Sequence, residues 1–156
     1  MKRSAGILAY RVKNNQIEVF LEHMGGPYWQ KKDEGAWSIP KGEYKEEQAI
    51  EAAIREFREE TGFEIEKENL EFLASIKQDS QKLVTTFVVC HDFDEKAIKS
   101  NYFEIEWPPK SGKKVMFPEM DRAEWFTLPE AKKKILKGQV PFIEKLEEYL
   151  KKTGLI

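Results

Sequence analysis

Residues 42–63 read GEYKEEQAIEAAIREFREETGF, and this stretch decides the fold. At about 100° per residue, Ile50, Ala53, Ile54 and Phe57 share one stripe, as expected of a helix laid on a sheet. The pattern predicts a helix over 46–61, stopped by Gly62 as the left-handed residue beyond its end. Glu56, Glu59 and Glu60 take a different arc, shared with Ala49 and Ala52. They crowd the C-terminal turns, where the helix dipole disfavours negative charge. Glu56 repels Glu59 at i,i+3 and Glu60 at i,i+4, and Arg55 and Arg58 leave positive charge in deficit. Two readings stand side by side: a solvated acidic face, or a site for a hard divalent cation. Mg²⁺ or Mn²⁺ takes oxygen ligands and shares substrate phosphates, and the small alanines leave room for approach.

Around this helix the chain alternates strands and turns. SAGILAYRV (4–12) and QIEVFLEHM (16–24) read as a hairpin across KNN. AWSIP (36–40) reads as a short strand, KGEYK as a turn, and 70–78 and 82–93 as two further strands. NYFEIEW (101–107) alternates and reads as a strand, KSGKK as a loop, and RAEWFTL (122–128) as the last strand. DEKAIKS is a short helix or turn. Thr127 and Glu130 form a capping box with Pro129 in the first turn, and Pro141 opens a final helix. The expected class is α/β, in one domain over 1–156.

Composition narrows the function. Hydrophobic residues make up 40% of the 156, enough for a full core. The net charge of −2 lacks the basic excess of a nonspecific nucleic-acid binder. The one cysteine, Cys90, sits in the apolar run LVTTFVVC and is expected to be a small buried hydrophobe. No run approaches a membrane span, and a reducing cytoplasm is the simplest home. His23 and His91 lie in strands without paired ligand spacing, which suggests structural roles.

The segment 42–63 resembles the signature of the Nudix hydrolases. Glu47, seven residues, then Arg55-Glu56-Phe57-Arg58-Glu59-Glu60-Thr61-Gly62-Phe63 match that motif. The departure is at the front, where four residues instead of five separate Gly42 from Glu47. The order of hairpin, PKG, acidic helix, strands and late Trp125 is also similar to the family's α/β/α sandwich with a mixed sheet. The resemblance implies hydrolysis of a pyrophosphate bond in a nucleoside diphosphate derivative, with Mg²⁺ or Mn²⁺ neutralising charge and aiming water. It implies Glu56, Glu59 and Glu60 as metal ligands, with the backbone near Lys41–Gly42 supplying another. Arg55 would orient the carboxylates, its alternative being a plain surface pair with Glu59.

The general base would be a box glutamate (Glu56 or Glu59) or Glu119 from a later loop, with Asp121 and Glu124 as alternatives. Lys41 and Arg3 are candidates to touch phosphates. Tyr28, Trp29, Tyr102, Phe103 and Trp107 lie in segments that could rim the site, with Phe103 chosen as a substrate contact. The segments GAWSIPKGE and EWPP resemble a group of bacterial predicted NTP pyrophosphohydrolases, and WSIPKGEY resembles diadenosine polyphosphate hydrolases. Nucleoside triphosphates, dinucleoside polyphosphates and nucleotide sugars therefore stay open as the small-molecule partner. The alternative function is a noncatalytic nucleotide-sensing module, which in this family usually lacks a box carboxylate. No stable nucleic-acid partner is expected. A homodimer fits the family, and nothing in the sequence decides it.

Overall fold

A computed structural model describes residues 1–156. Its strands are β1 (Lys2–Lys13), β2 (Gln16–Met24), β3 (Trp37–Ser38), β4 (Lys41–Tyr44), β5 (Glu71–Asp79), β6 (Lys82–Cys90), β7 (Tyr102–Glu106), β8 (Lys114–Pro118) and β9 (Met120–Thr127). The helices are α1 (Ala49–Thr61), α2 (Leu128–Lys134) and α3 (Val140–Lys152). Seven strands form one mixed sheet in the order β3-β2-β1-β6-β5, with β4 also on β1 and β9 also on β2. β7 and β8 pair only with each other.

The hairpin turn falls at Asn14 and Asn15, both at positive φ, which suits the twist of a two-residue connection. β1 pairs with β2 only from Tyr10 to Lys13 and with β4 from Arg3 to Gly6. Beyond Val19, β2 leaves β1 and takes β3 instead, at Glu22 and His23. The chain from Trp37 to Tyr44 therefore crosses the V where β1 and β2 diverge. Gly6 permits that crossing, since a Cβ there would lie 2.7 Å from the Cβ of Lys41. KGEYK is accordingly a strand and not a turn, because it finds the free edge of β1.

Alternation along the strands sorts side chains to the two faces. On one face α1 covers Ala5, Ile7, Ala9, Phe20, Phe87 and Ala123. On the other, α2 and α3 cover Leu8, Val19, Leu21, Trp37, Val84 and Phe126. Fully buried side chains such as Phe57 and Leu146 are each worth about 1.5–3 kcal/mol of burial. The predicted capping box is present, with Thr127 accepting from the Glu130 amide.

Several local expectations are corrected. KVMFP forms β8, which supplies β7 with its partner; the alternation of NYFEIEW signals only half of that hairpin. Cys90 is exposed, because Val88 and Val89 are the last residues of β6 packed into the core and Cys90 lies beyond them. α1 begins at Ala49, three positions later than expected. Its buried residues are Ala52, Ala53, Phe57, Glu60 and Thr61, while Ile50 and Ile54 are only half-buried. Glu60 thus shares the buried arc with Ala53 instead of standing on a separate one. Seven residues is nearly two full turns, so the two positions superpose within about 20°.

Candidate active site

The C-terminal half of α1 ends firmly. Gly62 adopts the left-handed conformation at φ 81° and its amide bonds the Arg58 carbonyl. Thr61 Oγ1 donates to the Phe57 carbonyl at 2.6 Å, and the Lys99 amide donates to the Glu60 carbonyl at 3.2 Å. These contacts satisfy the carbonyls left free at a helix end and fix where the glutamates project.

Arg55 gathers three of them. Its guanidinium donates to both Glu47 oxygens, to Glu56 Oε1 at 2.8 Å, and to Glu59 Oε1 at 3.5 Å. Glu47 is therefore joined to the cluster despite the shortened turn before it, and Arg55 holds its carboxyl below the usual range. Glu56 lies against Gly42, where a Cβ would overlap its carboxyl carbon, so the backbone of β4 and this carboxylate meet closely only because residue 42 is glycine. Burial raises the Glu56 carboxyl above its ordinary value, against the pull of Arg55.

Glu60 and Glu22 are different in kind. Glu60 is 4% exposed and its Oε2 has no hydrogen-bond partner. Glu22 is fully buried, and neither of its oxygens has a partner. It alternates with Phe20 and so faces α1. Burial, with Glu119 nearby, pushes Glu22 up to about 8. Burial, then Glu22, Glu56 and Glu119, holds Glu60 well above the carboxylate range, with Lys41 opposing. Two carboxylates buried without counter-ions cost several kcal/mol each if ionised.

The other predicted residues fall around this pair. Lys41, on β4 opposite Gly6, is half-buried; burial and then Lys82 lower its pKa, while Glu60 and Glu43 oppose. Glu119 sits between β8 and β9, exposed, with its carbonyl accepting from the Gly25 amide at 2.8 Å. Phe103 is half-buried, with the tip of its ring over Gly26, where a Cβ would lie 2.7 Å from Cζ. Tyr28 and Trp107 meet edge to face at 5.3 Å. Arg3 lies over the Tyr44 ring and donates to the Lys45 carbonyl. It lines a cavity of about 740 Å³ with Tyr44, Lys45, Glu47 and Arg55, which meets the carboxylate cluster through Glu47 and Arg55. Asp121 is bonded to His23 at 2.8 Å, and Glu124 alternates with Trp125 to the opposite face from α1.

No group of three or more His, Cys, Asp or Glu side chains is already disposed to hold an ion. The donor set suits a hard divalent cation: carboxylate oxygens, three of them without partners on the buried Glu22 and Glu60, beside a glycine backbone.

The chain resembles several solved structures. A Caenorhabditis elegans Ap4A hydrolase in a binary complex has TM-score 0.67 and 21% identity, covering 97% of this chain and 98% of that one. The NUDIX domain of Shewanella oneidensis NrtR, complexed with ADP ribose, has TM-score 0.65 and 14% identity, covering 95% and 87%. A MutT/nudix family protein from Listeria innocua has TM-score 0.64 and 15% identity, covering 99% and 96%. Identities this low carry the fold alone. No curated protein sequence matches, and no helix is long and apolar enough to cross a membrane. The model of the NUDIX domain matches residues 2–146, and with the Arg55–Glu60 cluster on α1 it shows that this chain belongs to the Nudix hydrolase family, the pyrophosphohydrolases.

Proposed function

We propose that the protein hydrolyses a pyrophosphate bond in a nucleoside triphosphate or dinucleoside polyphosphate, with Mg²⁺ or Mn²⁺ as cofactor. The observation that carries this reading is Glu60, buried and unpartnered on a helix whose remaining acids are organised by Arg55. Glu56, Glu59, Glu60 and the Gly42 backbone would hold the cation. When bound, it would neutralise phosphate charge and lower the pKa of attacking water.

The chain's own residues supply the rest. Arg55 fixes the Glu56 carboxylate and leaves Glu59 looser, at 3.5 Å and 39% side-chain exposure. A looser, exposed carboxylate is free to swing and accept a proton, so Glu59 and Glu119 are the base candidates. The Lys41 ammonium stands beside the carboxylates and would contact a phosphate oxygen. Arg3 would meet a more distant anionic group of the substrate from the neighbouring cavity. Phe103 would act by holding the Gly25–Gly26 turn, with Tyr28 and Trp107 nearer the rim.

The test is a hydrolysis screen with Mg²⁺ and Mn²⁺ over nucleoside triphosphates, dinucleoside polyphosphates, nucleotide sugars and capped RNA, run beside Glu60→Gln. Metal-dependent turnover of one of the first two classes, lost in Glu60→Gln, supports the reading. Binding of nucleotide and metal without turnover of any class would replace it with a sensing module.

A further inference from the structure

Glu22 belongs to no part of the helical motif. It lies on β2, opposite Ser38 on β3 and Ala123 on β9, fully buried two residues beyond Phe20 and on the same face. An apolar side chain there would simply extend the packing of Phe20. A carboxylate in that position needs a reason.

Ordinary reasons fail one by one. No hydrogen bond reaches either oxygen, so Glu22 is not one half of a carboxylic acid pair sharing a proton with Glu60. No salt bridge reaches it either. The charges that bear on it are carboxylates: Glu119, and Glu60, on which Glu22 itself acts. A water molecule could hydrogen-bond these oxygens but would neutralise no charge. What remains is a hard cation shared between sheet and helix.

We propose that Glu22 is a further ligand of the divalent cation, contributed by the sheet and facing the ligands on α1. This rests on the reading of the site as a metal-dependent one. Gly42 and Glu56 approach from β4 and α1, where the crossing segment enters the V between β1 and β2. Glu22 stands on the other arm of that V, and Glu60, buried on α1, is near enough to feel the charge of both Glu22 and Glu56. A cation there would draw together oxygens that otherwise repel, and it would leave Glu22 as a structural as well as a functional carboxylate.

The experiment is direct Mn²⁺ binding, read from the electron paramagnetic resonance signal of the free ion, for wild type, Glu22→Gln, Glu22→Val and Glu60→Gln. Thermal unfolding is measured in parallel, in chelator and in Mn²⁺. Both Glu22 variants are expected to melt no lower than wild type in chelator, because each removes a buried, unpartnered carboxyl that folding must either hold protonated or leave as a lone charge. Both should bind Mn²⁺ at least about tenfold more weakly and lose most of the rise in melting temperature that Mn²⁺ gives wild type. Wild-type affinity in either variant overturns the assignment. So does a lower melting temperature in chelator for both, which would mean that Glu22 already has a structural partner. Binding lost in Glu60→Gln but kept in the Glu22 variants removes Glu22 alone. No Mn²⁺ binding by wild type removes the metal reading of the whole site.

Discussion

The two faces of the central sheet bury polar groups on opposite terms. On the α2–α3 face, His23 is fully buried with both ring nitrogens partnered, by Asp121 and by the Lys32 carbonyl. Gln139 bonds the Ile39 amide at 3.0 Å and Ser38 Oγ at 2.9 Å. The unpartnered buried atoms on that side are hydroxyls only, Ser4 and Thr86, which alternate with Ala5 and Phe87. On the α1 face the unpartnered groups are carboxylates, Glu22 and Glu60. An unsatisfied hydroxyl costs about 1–3 kcal/mol; a lone buried charge costs more. One face is built for stability, and the other carries an energetic cost that a ligand would relieve. The contrast separates folding from function within one sheet, and substitutions on each face should therefore fail in different assays.

The largest expected effect on stability lies on the α2–α3 face. Leu146 on α3 is fully buried, and Leu146→Ala should cost about 2–5 kcal/mol in denaturant unfolding. Turnover per folded molecule should stay within about twofold of wild type. Loss of turnover in the folded protein would break the comparison, because it would couple the two faces. On the α1 face the signs reverse. Glu60→Gln should lower kcat about 10²–10³-fold, or about 2.7–4 kcal/mol of barrier. Its unfolding in chelator should be no easier than that of wild type, since an amide is cheaper to bury than a charge. Marked destabilisation in chelator would mean that Glu60 is part of the scaffold.

How much of this was legible in the sequence follows the same division. The helix, its Gly62 stop and the Arg55–Glu60 cluster were readable because a single local period carries them. Thr127–Glu130 was readable because a capping box spans four residues. β4 was not, since it is a short polar segment made into a strand by the free edge of β1, and β8 was not, since KVMFP has no alternation of its own and becomes a strand only by pairing with β7. The burial of Glu60 was hidden by sorting the helix into separate arcs, although its seven-residue spacing from Ala53 was the available signal. Glu22 was hidden more deeply. QIEVFLEHM places two acids on the Phe20 side, Glu18 and Glu22, and nothing local separates the one that pairs with Arg11 from the one that α1 buries across the sheet. The exposure of Cys90 is not legible, because an apolar run does not say where its packing ends.

A subtler probe of the α1 face is Gly42→Ala. The new methyl would overlap the Glu56 carboxyl carbon, and the flexible side chain would give way before the strand does. Turnover should fall roughly tenfold to a hundredfold, as displacement of a positioned group commonly does. Stability should change by less than about 1 kcal/mol. Equal turnover in the variant would show that the close approach of Gly42 and Glu56 is incidental to the chemistry.

The smallest effect tests the satisfied face at its margin. Asp33 accepts from Trp37 Nε1 at 3.0 Å and pairs with Lys134. The Lys134 ammonium first, and then the Trp37 indole, hold its carboxyl below the usual range. A carboxylate whose pKa is lower folded than unfolded stabilises the protein above its unfolded value, near 3.8, and that stabilisation is lost as pH falls through the folded value. Because Asp33 is exposed and Lys134 only half-buried, the pair's worth is under about 1 kcal/mol. Asp33→Asn keeps an acceptor for the indole and removes only the charge. Wild type should therefore exceed the variant slightly at pH 7, and the gap should close as the pH is lowered below the ordinary aspartate value. A gap that persists in acid would assign the loss to packing around Trp37 instead of to charge. Turnover at pH 7 should be unchanged, since Asp33 and the carboxylates on α1 are separated by the full thickness of the sheet.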